Sequence, residues 1–163
     1  MTTNITNTAT EPSVEAANPQ RFGCIMADPP WDILQGGRLG AIRHYDLMPL
    51  DQVKRMGEAI DALAEPDAHL WLWVTNGTLR AGYDVMEAWG FTPRSPLTWI
   101  KPRFGLGNYL RNATEHVLLG TRGKAPVQFK AQPTWAYWPL LEHSVKPDEI
   151  YSVIDRVSGR DTK

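Results

Sequence analysis

The sequence predicts a doubly wound α/β domain with a mostly parallel sheet, and three observations carry that expectation. Short, continuously apolar runs of strand length alternate with longer stretches whose large side chains recur every three or four residues. The apolar runs are too unbroken for half-exposed strands, as expected of a sheet covered by helices on both faces. Size agrees, because 163 residues, 42% of them hydrophobic, suit one domain with a full core.

Residues 1–20 are rich in Thr, Asn, Ala and Glu and almost lack large apolar side chains, so a disordered tail is expected before a domain over 21–163. The first strand, about Phe22 to Ala27, is apolar and is stopped by Pro29 and Pro30. Asp28 therefore stands at a strand's carboxyl end, where open α/β sheets bind ligands. A loop with Gly36, Gly37 and Gly40 follows, without phosphate-loop spacing.

Leu50, Val53, Met56, Ile60 and Leu63 mark one face of a helix ending near Ala64. Ala68 to Val74 reads as a central strand ended by Thr75-Asn76-Gly77, with His69 as a strand-end residue. A helix from about Thr78 to Trp89 buries Leu79, Tyr83 and Met86 and stops at Gly90. Phe91 to Ile100 is a strand made irregular by Pro93 and Pro96. The loop Phe104-Gly105-Leu106-Gly107-Asn108-Tyr109 lacks the third glycine of a dinucleotide fingerprint, which excludes a nicotinamide site. Val117 to Thr121 forms another strand, left by the basic turn Arg122-Gly123-Lys124. Trp135, Tyr137 and Trp138 lie in a proline-rich segment and suit either unstacked bases or a loop packing its own small core. Pro147 reads as the first residue of a last helix, with Asp148 and Glu149 in its first turn and Ile150, Val153, Ile154 and Val157 on its buried face. Lys146 then sits at the helix entrance, directed at the strand ends.

The chemistry concentrates in Asp28-Pro29-Pro30-Trp31. A carboxylate and a rigidly held proline carbonyl offer two acceptors, and an indole offers a stacking plate. Such a set suits a planar ring that bears an amino group, and the same residues also suit a proline-rich turn capped by a core tryptophan. Four histidines and one cysteine, Cys24, lack zinc spacing, so no metal is expected.

The string Met26-Ala27-Asp28-Pro29-Pro30-Trp31-Asp32-Ile33 resembles the catalytic motif of adenine amino-methyltransferases. The family is that of the 70-kilodalton catalytic subunit of messenger-RNA adenosine methyltransferase, in its bacterial and phage branch. Further similarities fall at Leu72-Trp73-Val74-Thr75, at Leu97 to Pro102, at the Gly-Leu-Gly loop through Arg111-Asn112, and at Glu142 to Tyr151. The resemblance implies a Rossmann-like class I methyltransferase fold with circularly permuted motif order and S-adenosylmethionine as cofactor. It implies methyl transfer to the exocyclic 6-amino group of adenine in DNA or RNA. By the same resemblance Asp28, Pro29, Pro30 and Trp31 are catalytic, and Asp28 and Lys146 contact the cofactor. Trp31, Tyr45, Trp99, Arg111, Asn112, Glu115 and His143 are substrate-binding candidates, with His116 beside them. The family also has a cofactor-binding strand, an arginine and a Trp and Gly-Asn segment after the helix matching 147–157, and residues 158–163 do not supply them. An incomplete cofactor half-site, and with it a catalytically inactive subunit that binds nucleic acid or a partner protein, is the alternative expectation.

Net charge is −1, which excludes a uniformly basic nucleic-acid binder. Locally, Lys101, Arg103, Arg111, Arg122, Lys124 and Lys130 face one acid, Glu115, across the 101–130 stretch, a balance that suits either a phosphate-holding patch or an ordinary solvated loop. A single cysteine fits a reducing cytoplasm, and no apolar run approaches the roughly 20 residues that span a bilayer. A cytoplasmic protein without membrane contact, acting on an adenine-containing nucleic acid and able to form a homo- or hetero-dimer, is expected.

Overall fold

The computed structural model describes residues 20–32, 47–107, 109–140 and 145–159. The expected tail, the glycine-containing loop with Tyr45, and His143 lie outside the described residues. Nine elements follow in order: β1 (Phe22–Ala27), α1 (Leu50–Arg55), α2 (Gly57–Leu63), β2 (Ala64–Thr75), α3 (Leu79–Ala88), β3 (Thr92–Ile100), β4 (Thr114–Arg122), β5 (Trp135–Tyr137) and α4 (Glu149–Ser158). The strands form one sheet in the order β1-β2-β4-β3-β5.

The sheet is mixed, not mostly parallel. β1 pairs with β2 and β3 with β5 in parallel, whereas β4 runs antiparallel to both β2 and β3. The kind of connection accounts for this. Helix α3 carries the chain from β2 across to a parallel β3, but only residues 101–113 join β3 to β4, without a crossover helix. β4 therefore turns back and fills the place left between them.

Strand alternation divides β2 between two cores. Leu70, Leu72 and Val74 face α1, α2 and α3, together with Val53, Val85, Met86 and Trp89. Trp71 and Trp73 face the other side with Trp99, Val117 and the apolar stripe of α4, Ile150, Val153, Ile154 and Val157. Helices thus cover both faces, as the unbroken apolar run of β2 requires.

Several boundaries differ from the sequence expectation for identifiable reasons. The expected helix from Leu50 to Leu63 is two helices broken at Met56. The Trp89 indole donates to the Val53 carbonyl at 2.9 Å and the Met56 amide also donates there, so the bond that would continue the helix is spent. Met56 and Leu63 are exposed as a result, and Val53 and Ile60 are buried. β2 begins four residues earlier than expected, which puts His69 inside the strand at 2% exposure. Its Nδ1 shares a 2.9 Å hydrogen bond with Ser158 Oγ, to which the Trp71 indole donates at 3.0 Å, tying the last turn of α4 to the sheet. Burial pushes the His69 imidazole below its ordinary value and the neighbouring Cys24 thiol above its own. Gly90 ends α3 as expected, at φ +80°. Its amide donates to Glu87 and that of Phe91 to Met86, the paired bonds of a Schellman motif. Pro147 precedes α4 by two residues rather than opening it, because Ile150 and Tyr151 donate to Pro147 and Asp148 in a tighter first turn.

Gly82 shows how closely α3 lies on the sheet. A Cβ there would stand 2.5 Å from Val74 Cγ1 and 3.0 Å from Leu118 Cδ1, two buried side chains with little room to retreat. Gly82→Ala adds about 1 kcal/mol of helix propensity but incurs about 1–3 kcal/mol of overpacking. The variant is expected to have a lower urea midpoint than the parent, and a higher one would show that α3 has space to move.

Candidate active site

β1 stops pairing with β2 after Ala27, opposite Leu72, because the prolines that follow have no amide proton to offer. The chain then folds into a fixed turn. The Trp31 amide donates to the Pro29 carbonyl at 2.9 Å, the Met48 amide to the Pro30 carbonyl at 2.7 Å, and the Asp32 amide to Met48 at 3.0 Å. The Trp31 indole passes under the turn and donates to the Trp73 carbonyl at 3.1 Å. Asp28 is left at the rim of the sheet with its carboxylate 42% exposed.

Lys146 meets it. Its Nζ lies 2.9 Å from Asp28 Oδ2 and 5.1 Å from the centre of the Trp73 ring. Trp73 donates from Nε1 to Glu115 Oε2 at 2.6 Å, and Glu115 Oε1 receives Lys101 Nζ at 2.5 Å. Lys101 in turn lies 4.9 Å from the Trp99 ring centre, and the Trp73 and Trp99 rings meet edge to face at 5.9 Å. Two acid–lysine pairs are therefore threaded through two indoles, each ammonium over an electron-rich face. The pair at Asp28 is the more exposed, through its acid rather than its lysine, whereas both side chains of the pair at Glu115 are under one-fifth exposed.

The expected residues separate into three groups. Asp28 and Lys146, far apart in sequence, come together at the carboxyl end of β1. Pro29, Pro30 and Trp31 shape the turn that presents Asp28. Trp31, at 8% exposure, is packed in the core and does not offer a stacking plate, because its ring is needed beneath the turn. Trp99 is also enclosed, at 2%, with its indole donating to the Trp138 carbonyl at 3.1 Å. Glu115 and His116, expected on a loop, belong to β4. Glu115 spends both oxygens on Trp73 and Lys101. His116 bridges Thr98 Oγ1 and Asn76 Oδ1 at 3.0 Å each. Burial pushes its imidazole below the ordinary value, and the Glu115 carboxylate opposes that shift. Asn112 shapes the loop between β3 and β4 by donating to the Leu106 carbonyl at 2.8 Å, and Arg111 beside it is exposed. That loop leaves the sheet at the same end as Asp28 and carries Phe104, Leu106, Tyr109 and Leu110, all exposed.

Lys101 and Trp73 were not among the expected site residues. The signal was present in Trp71-Leu72-Trp73, whose two indoles must share one face of a strand, and in a lysine directly after a strand that ends in Trp99-Ile100.

Residues 22–163 match the family MT-A70. The chain belongs to this family. Among its relatives, the probable N(6)-adenosine-methyltransferase MT-A70-like protein of Oryza sativa is 32% identical over 88% of this chain and 20% of its own length. The N(6)-adenosine-methyltransferase catalytic subunit METTL3 of Homo sapiens is 30% identical over 85% of this chain and 24% of its own. The type II methyltransferase M.MunI of a Mycoplasma species is 25% identical over 85% and 67%. The chain thus spans about a fifth of the length of the plant MT-A70 relatives it matches. Membership in MT-A70 implies a Rossmann-like methyltransferase fold, and the mixed sheet with helices on both faces accords with it. Among the described residues no helix is long and apolar enough to cross a membrane, and no cluster of three or more His, Cys, Asp or Glu could hold a metal.

Glu115 gives the site its rigidity. Glu115→Ala removes the acceptor of a buried indole and the partner of a largely enclosed ammonium, so a loss of about 1–3 kcal/mol in denaturant unfolding is expected. Glu115→Gln, which keeps an acceptor for Trp73, is expected to lose less. Equal losses would show that the indole bond contributes nothing.

Proposed function

We propose that the domain transfers a methyl group from S-adenosylmethionine to the exocyclic 6-amino group of adenine in a nucleic acid, with the motif order of a circularly permuted class I methyltransferase. One observation supports this reading above the others. The Asp28 carboxylate, at a strand's carboxyl end before two prolines, lies 2.9 Å from Lys146 Nζ and its side chain is 42% exposed. The names of the rice and human relatives specify N(6)-adenosine as the group they methylate, which accords with it.

The residues fit the cofactor's chemistry. S-adenosylmethionine, when bound, supplies an electrophilic methyl group, and it carries an amino group and a carboxylate besides. Asp28 and Lys146 offer one acceptor of negative charge and one donor of positive charge, matching that amino group and carboxylate. Their mutual ion pair, partly exposed and worth about 1 kcal/mol or less, opens at little cost when either finds a better partner.

Toward the acceptor, Asp28 works by taking hydrogen bonds. An adenine amine is a weak nucleophile because its lone pair is delocalised into the ring. Accepting its N–H groups at the Asp28 carboxylate and at the free lone pair of the Pro29 carbonyl favours a pyramidal nitrogen. The same oxygens stabilise the positive charge that grows on nitrogen, an electrostatic effect set in place before reaction. The methylated nitrogen is acidic enough to lose its proton to water, so no raised-pKa base is required. Trp31 acts beneath the turn as a positioning residue, and Lys101, Trp73 and Glu115 hold the floor.

Calorimetry with S-adenosylmethionine, followed by methyl transfer to adenine-containing oligonucleotides, tests the proposal. Asp28→Asn is expected to lower kcat by about 100-fold or more at an unchanged melting temperature, the scale on which such acceptors act. Turnover equal to the parent would remove Asp28 from the chemistry. Oligonucleotide binding without donor binding would favour a binding subunit instead.

A further inference from the structure

At the far end of α4 from Lys146, the segment 123–134 lies over β3 and β4 and bounds a cavity of about 560 Å³. That volume suits a ligand of nucleotide size. Its floor is apolar, formed by Trp71, Leu97 and Val157, and Phe129 stands at its wall. Arg94, Lys124 and Lys130 line it as well, and no carboxylate does among the described residues. None of the three cations is in an ion pair among those residues. Arg94 donates from Nε to Thr121 Oγ1 at 2.8 Å, which fixes its guanidinium beside the floor. Of the acids near the turn, Asp67 accepts the Lys124 backbone amide at 2.7 Å and Asp61 pairs with Arg122.

We propose that this cavity is a second nucleotide site, which holds a nucleotide of the acceptor strand other than the one methylated. The inference rests on the reading of the acceptor as a nucleic acid and adds where the rest of the strand is gripped. Three cations around one cavity exceed what a single carboxylate needs and match the several oxygens of a phosphate. The apolar floor and Phe129 suit the flat face of a base, whose stacking is tolerant of sequence. The Arg156 guanidinium lies 5.3 Å from the Phe129 ring centre and adds positive charge beside that ring.

Both sites lie on the α4 side of the sheet. Glu115, under the Asp28 site, and Thr121, in the cavity, are six residues apart along β4, about 20 Å at strand rise. A strand stacked as in a duplex, at about 3.4 Å per nucleotide, needs roughly six nucleotides to reach both. Binding of an oligonucleotide of about twelve nucleotides is expected to be at least about tenfold tighter than that of one of about four, because the second contact is then intramolecular.

Fluorescence anisotropy with these two single-stranded, adenine-containing oligonucleotides tests the proposal on the full chain. The charge reversal Lys124→Glu with Lys130→Glu, at two exposed positions, is expected to weaken the longer oligonucleotide about tenfold or more and to abolish the length effect, with the circular dichroism spectrum unchanged. Phe129→Ala is expected to weaken it as well, and adenosine monophosphate is expected to shift the Trp71 indole resonance in the parent but not in the charge-reversed variant. Unchanged affinity in the charge-reversed variant would overturn the proposal, as would saturation of the cavity by laurate with no response to adenosine monophosphate. Failure of the methyl-transfer reading is a separate outcome, seen as absent turnover while the length-dependent binding and its sensitivity to charge reversal persist.

Discussion

The hydrogen bond from the Trp31 indole to the Trp73 carbonyl is the constraint on which the site depends. Burying an indole stabilises the fold by several times the roughly 1 kcal/mol of the bond itself, but burial has no direction. The bond does. It fixes the angle at which the Asp-Pro-Pro turn leaves β1, and with it the position of the Asp28 carboxylate over the sheet rim. The residue that accepts it, Trp73, is also the one whose ring underlies Lys146 and whose edge is held by Glu115. A single position of the most buried strand thus orients the acid from behind and its lysine from beneath.

The two acid–lysine pairs differ in a way that matters for chemistry. Lys101 and Glu115 are enclosed and further tied to Trp73, so separating them would leave charges poorly solvated. Asp28 and Lys146 meet in partial solvent and can part for a ligand. The closed pair provides rigidity, and the open pair keeps an anion and a cation available on one rim. Preorganisation and availability are in conflict within a single pair, and the fold resolves this by using two.

The sequence made some of this legible. An unbroken apolar β2, the strand-stopping prolines after Asp28 and the apolar stripe of α4 all follow from local pattern, and the structure keeps them. The direction of β4 did not follow from apolar pattern, which is the same for parallel and antiparallel buried strands, although the absence of a helix between Ile100 and Val117 was a usable sign. Trp31 illustrates the harder limit. Residue type shows that an indole can stack or can be buried, and only the depth of the turn over β2 decides between them. Glu115 was expected to face a substrate because it follows a loop that resembles the family's substrate loop, whereas contacts across the sheet commit it to Trp73 and Lys101. Partners 42 and 14 residues away are invisible to local reading.

The most direct measurement of the central claim is the steady-state kinetics of Trp31→Phe, which keeps an aromatic ring in the core and removes its N–H. If the bond to Trp73 positions Asp28, kcat falls by about tenfold or more at a temperature where the variant is still folded, the smaller ring and the lost bond costing about 1–3 kcal/mol of stability. A kcat equal to the parent, with the hydrogen bond gone, would contradict the account.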